Sequence, residues 1–323
     1  MSVGARNSIT DVPGLMVGQA QDRAVKTGVT VILPDAPAIA AVDVRGGGPG
    51  TREADALALT GLVDRADAIV LAGGSVYGLG AADRIAALLG ARGRGFSLMP
   101  AAGVPVSPIV PAAILYDLAN GGDKEWGDQP PYGRLGAEAL DAVSEEVALG
   151  PVGAGCGALA GQHLGGLGTA SAVTDAGVTV GAIAAVNSFG SPYVPGTRQF
   201  WAAPFEVGDE FGGRGIAQAA VSGFPSDTKV GSGPRGNTTI ACIATDADLS
   251  KAEAARLAIM AQDGLARALR PAHGPTDGDT VFVLATGGRP LAEPRVLGLT
   301  ELGNLAADVL ARAIARGVYF AEA

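Results

Sequence analysis

Glycine constrains this chain more than any other residue type. Fifty of its 323 residues are glycine. They are spread along the whole length and interrupt well-patterned apolar segments, so they do not make a flexible linker. A residue without Cβ permits tight turns and close approach of backbone to backbone, and the pattern predicts many of both. With 48% hydrophobic residues, the chain can bury a large core as one big domain or two intimately joined ones. No stretch is apolar for long enough to span a bilayer. The opening MSVGARNSITDVPG lacks the apolar run of a secretory signal. The expectation is a soluble, cytoplasmic protein without a membrane partner.

Charge and histidine count narrow the chemistry. The formal net charge is −9, dispersed rather than gathered in a tail. Phosphate binding needs a basic stripe, and none is visible, so no nucleic-acid partner is expected. Only two histidines are present, His163 and His273. A histidine-based triad or a multi-histidine metal site has almost no material, and neither a metal nor another cofactor is expected. Cys156 and Cys242 lie in apolar or Gly-rich contexts and read as buried thiols rather than a disulfide.

Apolar runs at 29–33, 39–44, 68–72 and 178–186 predict strands, and Ala81 to Leu89 and Leu135 to Val147 predict helices. Residues 191–236, with Pro and Gly throughout, predict a long exposed connection. The last part is the most legible. Thr238 to Thr245 is a strand of β-branched and apolar residues. Ser250 with Glu253 fits a capping box for a helix running to about Arg270, before Pro271. A turn at 273–279 leads into a strand from Thr280 to Thr286. If the two strands are parallel neighbours they start at one sheet end. The hydroxyl of Thr238 would then lie close to the carboxylates of Asp277 and Asp279.

Three motifs compete for attention. Gly231 to Gly236 matches G-x-G-x-x-G, but a strand follows it where a dinucleotide site needs a helix; an unhindered tether to the next residue is the better use. Gly73-Gly-Ser-Val-Tyr77 falls one glycine short of a nucleophile elbow, and with so few histidines Ser75 reads as a turn. Asn237-Thr238 is a common dipeptide, raised by the tether before it, the buried strand it opens and the acids one helix later. A threonine at a free N-terminus carries its own amine as general base and needs no histidine. Its hydroxyl can first attack the preceding carbonyl to give an ester that water opens. From the residues alone this is one admissible site among several.

Taken together, several segments resemble the family of self-processing aminopeptidases and amide hydrolases that includes D-aminopeptidase/esterase, β-peptidyl aminopeptidases and nylon-oligomer (6-aminohexanoate oligomer) hydrolase. They are VDVRGGGPGTRE (42–53), VLAGGSVYGLGAADRI (70–85), SPIVPAAILYDL (107–118), GAGCGAL (153–159), GGLGTAS (165–171), AAVNSFG (184–190) and GNTTIACIATDADLS (236–250). The Asn-Thr pair and the DGD turn are most similar to the nylon-oligomer branch. The resemblance implies a four-layer α/β/β/α sandwich of the N-terminal-nucleophile type, as a single domain over 1–323 cleaved between Asn237 and Thr238 into 1–237 and 238–323. It implies a homo-oligomer, a tetramer of processed heterodimers. Thr238 matches the nucleophile, and Asp277 and Asp279 the pair that orients it. Asn187 matches the amide of the oxyanion hole, and Tyr116 a tyrosine contacting substrate or intermediate. One departure stands out: the nylon-oligomer branch has a site lysine after GAG-x-G, where Ala158 to Leu164 holds none. His163 or Gln162 is left to substitute.

These readings make the expected activity hydrolysis of linear amides, such as 6-aminohexanoate oligomers or small peptides, through a threonine acyl-enzyme. One alternative is an aminopeptidase/esterase for D- or β-amino-acid N-termini. A related fold in acetyl-transferring enzymes also self-cleaves before Thr and would make the acyl acceptor something other than water. A non-enzymatic alternative is an inert or ligand-binding relative, with the missing lysine as its symptom.

Overall fold

The computed structural model describes residues 1–218, 223–230 and 236–323. Along the chain, β1 (Leu15–Asp22), β2 (Thr27–Pro34), β3 (Ala38–Val44), β4 (Thr51–Arg52), β5 (Arg65–Ala66) and β6 (Ile69–Ala72) lead to α1 (Gly80–Ala91). Next come β7 (Ala112–Ile114), α2 (Tyr132–Asp141), β8 (Leu159–Ala160), β9 (His163–Leu164), β10 (Leu167–Val173) and β11 (Thr179–Asn187). The last part holds β12 (Thr238–Ala247), α3 (Lys251–Ala261), α4 (Asp263–Ala268), β13 (Thr280–Arg289) and α5 (Arg295–Glu322).

Two sheets stack face to face. One has the order β1-β2-β6-β7-β4, the other β10-β11-β12-β13-β3-β5. The period of two along each strand sends alternate side chains to different cores. In β12, Ile240, Cys242 and Ala244 join Ile32, Ile69 and Leu71 of the other sheet in the core between the sheets. Ala241 and Ile243 face outward and pack with Leu257, Leu265, Val309 and Ile314 of α3, α4 and α5. On the far side Val29, Val31 and Val70 meet Ile85, Leu89, Leu135 and Leu140 of α1 and α2. The result is an α/β/β/α sandwich whose central strands are buried on both faces, which is why they read as continuous apolar runs. Glycine sets one spacing visibly. A Cβ on Gly168 of β10 would stand 2.0 Å from the Ala313 carbonyl oxygen of α5, so the helix rests directly on strand backbone.

Strands β12 and β13 are parallel neighbours, with Ile240 opposite Thr280, and β11 lies antiparallel on the other side of β12. The expected β–α–β unit is therefore present, and Ser250 caps α3 in a reciprocal capping box with Glu253. Its helix is not continuous. It breaks at Gln262, whose side chain is buried and donates to the Asp43 carbonyl oxygen of β3 (2.9 Å). The helix expected to reach Val147 ends at Asp141, because Ser144 instead exchanges backbone hydrogen bonds with Val17 of β1. The described parts of the connection after 190 are irregular as expected but not exposed throughout. Tyr193, Phe200 and Phe211 are buried against the core, their rings 4.5 and 5.3 Å apart in sequence. Of the G-x-G-x-x-G stretch, residues 231–235 lie outside the described residues. Both cysteines are free thiols, Cys242 buried and Cys156 half-buried. Among the described residues no helix is long and apolar enough to cross a membrane.

Candidate active site

The site forms where three strands share an end. Register places Thr238, the first residue of β12, opposite Asn187, the last residue of β11. The turn before β13 brings Asp277 and Asp279 to the other flank. Gly278 between them is the close-approach position: a Cβ there would lie 2.6 Å from Thr238 Oγ1. All four polar side chains are buried, at 4% exposure or less. The sequence alone leaves the DGD turn free to be a surface turn; in the fold it is interior.

Each group has defined partners. Thr238 Oγ1 donates to the carbonyl oxygen of Asn237, the residue just before it. Asn237 Nδ2 donates to Thr276 Oγ1 (3.0 Å), while its Oδ1 is buried with no hydrogen-bond partner among the described residues. Asp279 Oδ1 accepts from the Thr239 amide (2.8 Å), and its Oδ2 accepts from the His273 amide (3.0 Å) and faces His273 Nδ1 (2.9 Å). Asp277 accepts from the Gly274 amide (2.7 Å) and the Phe189 amide (3.3 Å). Burial pushes the Asp277 carboxyl up to about 6, and the negative charge of Asp279 adds to the rise. Loss of water stabilisation and a like charge both disfavour the ionised form.

Asn187 is oriented by both ends of its amide. Its Oδ1 accepts from the Leu159 amide (2.9 Å) and Asn120 Nδ2 (3.1 Å). Its Nδ2 donates to the carbonyl oxygens of Tyr116 (2.9 Å) and Gly236 (3.3 Å). Tyr116 enters the site by its backbone and by its ring: a Cβ on Gly236 would stand 2.4 Å from Tyr116 Cγ. The structure thus brings together the six residues that the family resemblance nominates: Asn187, Asn237, Thr238, Asp277, Asp279 and Tyr116. Ser75 is a turn residue with positive φ of 53° before α1, its amide donating to the Leu115 carbonyl oxygen (3.0 Å). The two histidines that a triad there would need face Asp279 and Asp227 instead.

Two residues escape the sequence reading. His273 pairs with Asp279, where the residues by themselves suggest only a turn. Lys229 is 4% exposed, and its Nζ donates to the backbone oxygen of Asn187 (2.9 Å), to Asn187 Oδ1 (3.2 Å) and to the Gly236 carbonyl oxygen (3.1 Å). A lysine is therefore present, but it comes from residue 229 and not from 158–164. Gln162 and His163 bind residues 226–228 instead. No local pattern marks Lys229, because it sits in an irregular stretch with no periodicity to interpret.

Residues 7–323 match peptidase family S58. An uncharacterized aminopeptidase of Mycobacterium tuberculosis is 45% identical over 98% of this chain and 94% of its own length. A 6-aminohexanoate-oligomer endohydrolase of Kocuria sp. is 31% identical over 88% of this chain and 76% of its own. Among solved structures, the L-aminopeptidase D-Ala-esterase/amidase of Ochrobactrum anthropi, described as a variant of the Ntn hydrolase fold, superposes with a TM-score of 0.69 at 21% identity. That superposition covers 98% of this chain and 86% of the other.

Proposed function

The chain belongs to peptidase family S58 and is a hydrolase of amide or peptide bonds, and from that premise we propose that Thr238 is its nucleophile, released by self-cleavage of the Asn237–Thr238 bond. The observation that carries the reading is the bond from Thr238 Oγ1 to the carbonyl oxygen of Asn237. The hydroxyl lies against the peptide it would attack, and that peptide is buried among groups able to move protons. In maturation Oγ1 bonds to the Asn237 carbonyl carbon, its proton passes to the Thr238 nitrogen, the C–N bond to Thr238 breaks and an ester with a free α-amine forms. Water then opens the ester, leaving residues 1–237 and 238–323 associated within one domain.

In the mature enzyme the freed α-amine of Thr238 takes the Oγ1 proton as the hydroxyl attacks a substrate carbonyl. Asn187 Nδ2 is a fixed, buried donor for the oxygen on which charge develops. Asp279, through the Thr239 amide, and Asp277 orient the start of β12. The leaving amine departs with the proton, and water releases the acyl group. The substrates are short linear amides with a free amine, of the class of ω-amino-acid oligomers or small peptides. The activity named for the Kocuria relative favours the first, and the aminopeptidase name of the mycobacterial relative supports peptide N-termini as the second reading. The expected oligomer is a tetramer of processed heterodimers in the cytoplasm.

Intact-mass analysis tests maturation, and turnover of an aminohexanoate dimer against a D-alanyl amide separates the substrates. A wild-type chain that stays whole yet is fully active would sink the mechanism.

A further inference from the structure

Resting on Thr238 as nucleophile, we propose that Lys229 is a further catalytic residue: its Nζ is the second donor of the oxyanion hole, beside Asn187 Nδ2. Both donors end on one atom, the Gly236 carbonyl oxygen, at 3.1 and 3.3 Å. Before cleavage that carbonyl fills the place a substrate's acyl oxygen takes later, so the precursor occludes its own site.

The orientation of Asn187 supports this. Its side-chain oxygen receives three donors, from Lys229, Leu159 and Asn120. An ammonium and a backbone amide can only donate, so the amide end must be the one turned toward Gly236. Lys229 therefore acts twice, by touching the acyl oxygen and by fixing the other donor.

Lys229 also has reason to stay when the chain is cut. Its own amide donates to the Phe189 carbonyl oxygen (3.1 Å). Gln162 Nε2 donates to the carbonyl oxygens of Ser226 (3.3 Å) and Thr228 (3.2 Å), and the Gln162 amide donates to that of Asp227 (3.0 Å). Ser191 Oγ donates to the Asp227 carboxylate. None of these bonds involves the chain between Gly236 and Thr238. Cleavage frees the acyl end at Asn237 while leaving the ammonium in place.

In the step itself Thr238 Oγ1 bonds to the substrate carbonyl carbon and the π pair moves onto oxygen. Lys229 Nζ and Asn187 Nδ2 hold that oxygen without transferring a proton. The Oγ1 proton passes to the Thr238 α-amine and from there to the leaving nitrogen as the C–N bond breaks. A fixed ammonium acts most strongly when the oxygen carries charge, so its effect appears in kcat.

The test compares Lys229→Met, Lys229→Ala, Lys229→Arg, Lys251→Met and Thr238→Ala. Lys251 is the control, a buried lysine whose Nζ donates to the carbonyl oxygens of Gly61 (3.2 Å) and Val63 (2.7 Å) away from the site. For processed Lys229→Met we expect kcat to fall by about 10²-fold or more with KM within about threefold. Lys229→Arg should recover part of the loss, and Lys251→Met should keep wild-type kcat. If Lys229→Ala stays whole, methylammonium is added. Restored cleavage and turnover support the assignment, and a folded chain that the amine does not rescue overturns it. A processed Lys229→Met enzyme with kcat within twofold of wild type also overturns it, while an inactive Thr238→Ala keeps the nucleophile reading intact. An active Thr238→Ala sinks the nucleophile reading first, whatever Lys229 does.

Discussion

The six-stranded sheet buries polar groups at both ends of β11 and β12, and the two ends answer their charges differently. At the end away from the site, Asp246 Oδ1 accepts from the Thr179 amide (2.7 Å) and Oδ2 pairs with Arg289 (3.3 Å). Thr245 Oγ1 donates to the Thr179 carbonyl oxygen (2.8 Å). One carboxylate meets one cation, and one hydroxyl bridges two strand ends. At the other end two carboxylates two residues apart are both buried; Asp279 faces His273, and Asp277 is pushed up to about 6 by burial and the Asp279 charge even though the Lys229 ammonium pulls the other way. Buried like charges destabilise a fold, and a site that keeps them is where shifted protonation is useful. The same architecture thus serves as a clasp at one end and holds the proposed reaction site at the other.

Mutating matched residues should separate the two ends. The largest contrast is between threonines. Thr238→Ala should leave the chain whole and lower activity by about 10³-fold or more. Thr245→Ala should cost about 1–2 kcal/mol of stability and still be cleaved. Intact mass and urea midpoints decide, and a cleaved Thr238→Ala chain would erase the contrast. Next come the acids. Asp277→Asn should lower kcat by about 10²-fold, whereas Asp246→Asn should cost about 1–3 kcal/mol with kcat near wild type. Equal kinetic losses at both ends would show that the site acids are structural.

The acid end should also show in the pH dependence of stability. A folded-state value above the ordinary carboxylate range means that the folded chain binds the Asp277 proton more tightly than the unfolded chain. The contribution of this group is present below about pH 4 and is lost as pH rises to about 6. Between these values wild type should lose stability relative to Asp277→Asn, and parallel unfolding curves would contradict the shift. The smallest effect belongs to the clasp end, where Ser250→Ala removes the cap of α3 after β12. It should cost about 1 kcal/mol, read as a lower thermal midpoint, with cleavage unchanged; slowed cleavage would mean that the two ends are coupled through β12.

Much of the site is legible in the amino-acid sequence. The β-branched run from Thr238, the Ser250–Glu253 box and the acids ahead of the next strand together put Thr238 beside Asp277 and Asp279, and the parallel pairing of β12 with β13 bears that out. Asn187 is legible as the end of an apolar run. Less legible is anything whose partner is distant. The expected helix end near Val147 gives way to pairing of Ser144 with β1, and the expected exposed connection hides Tyr193, Phe200 and Phe211.

By itself the sequence determined what neighbours within a turn or strand decide: the apolar periods, the cap, the tight DGD turn and a hydroxyl opening a buried strand. These follow from bonds and steric limits that reach only a few residues. Tertiary structure alone decided that Lys229 would meet Asn187 and Gly236, that His273 would back Asp279, and that a carboxyl would be driven toward neutrality. Those outcomes depend on the path of an irregular segment held by distant hydrogen bonds and on exclusion of water by four packed layers. Neither has any signature in the order of residues along the chain.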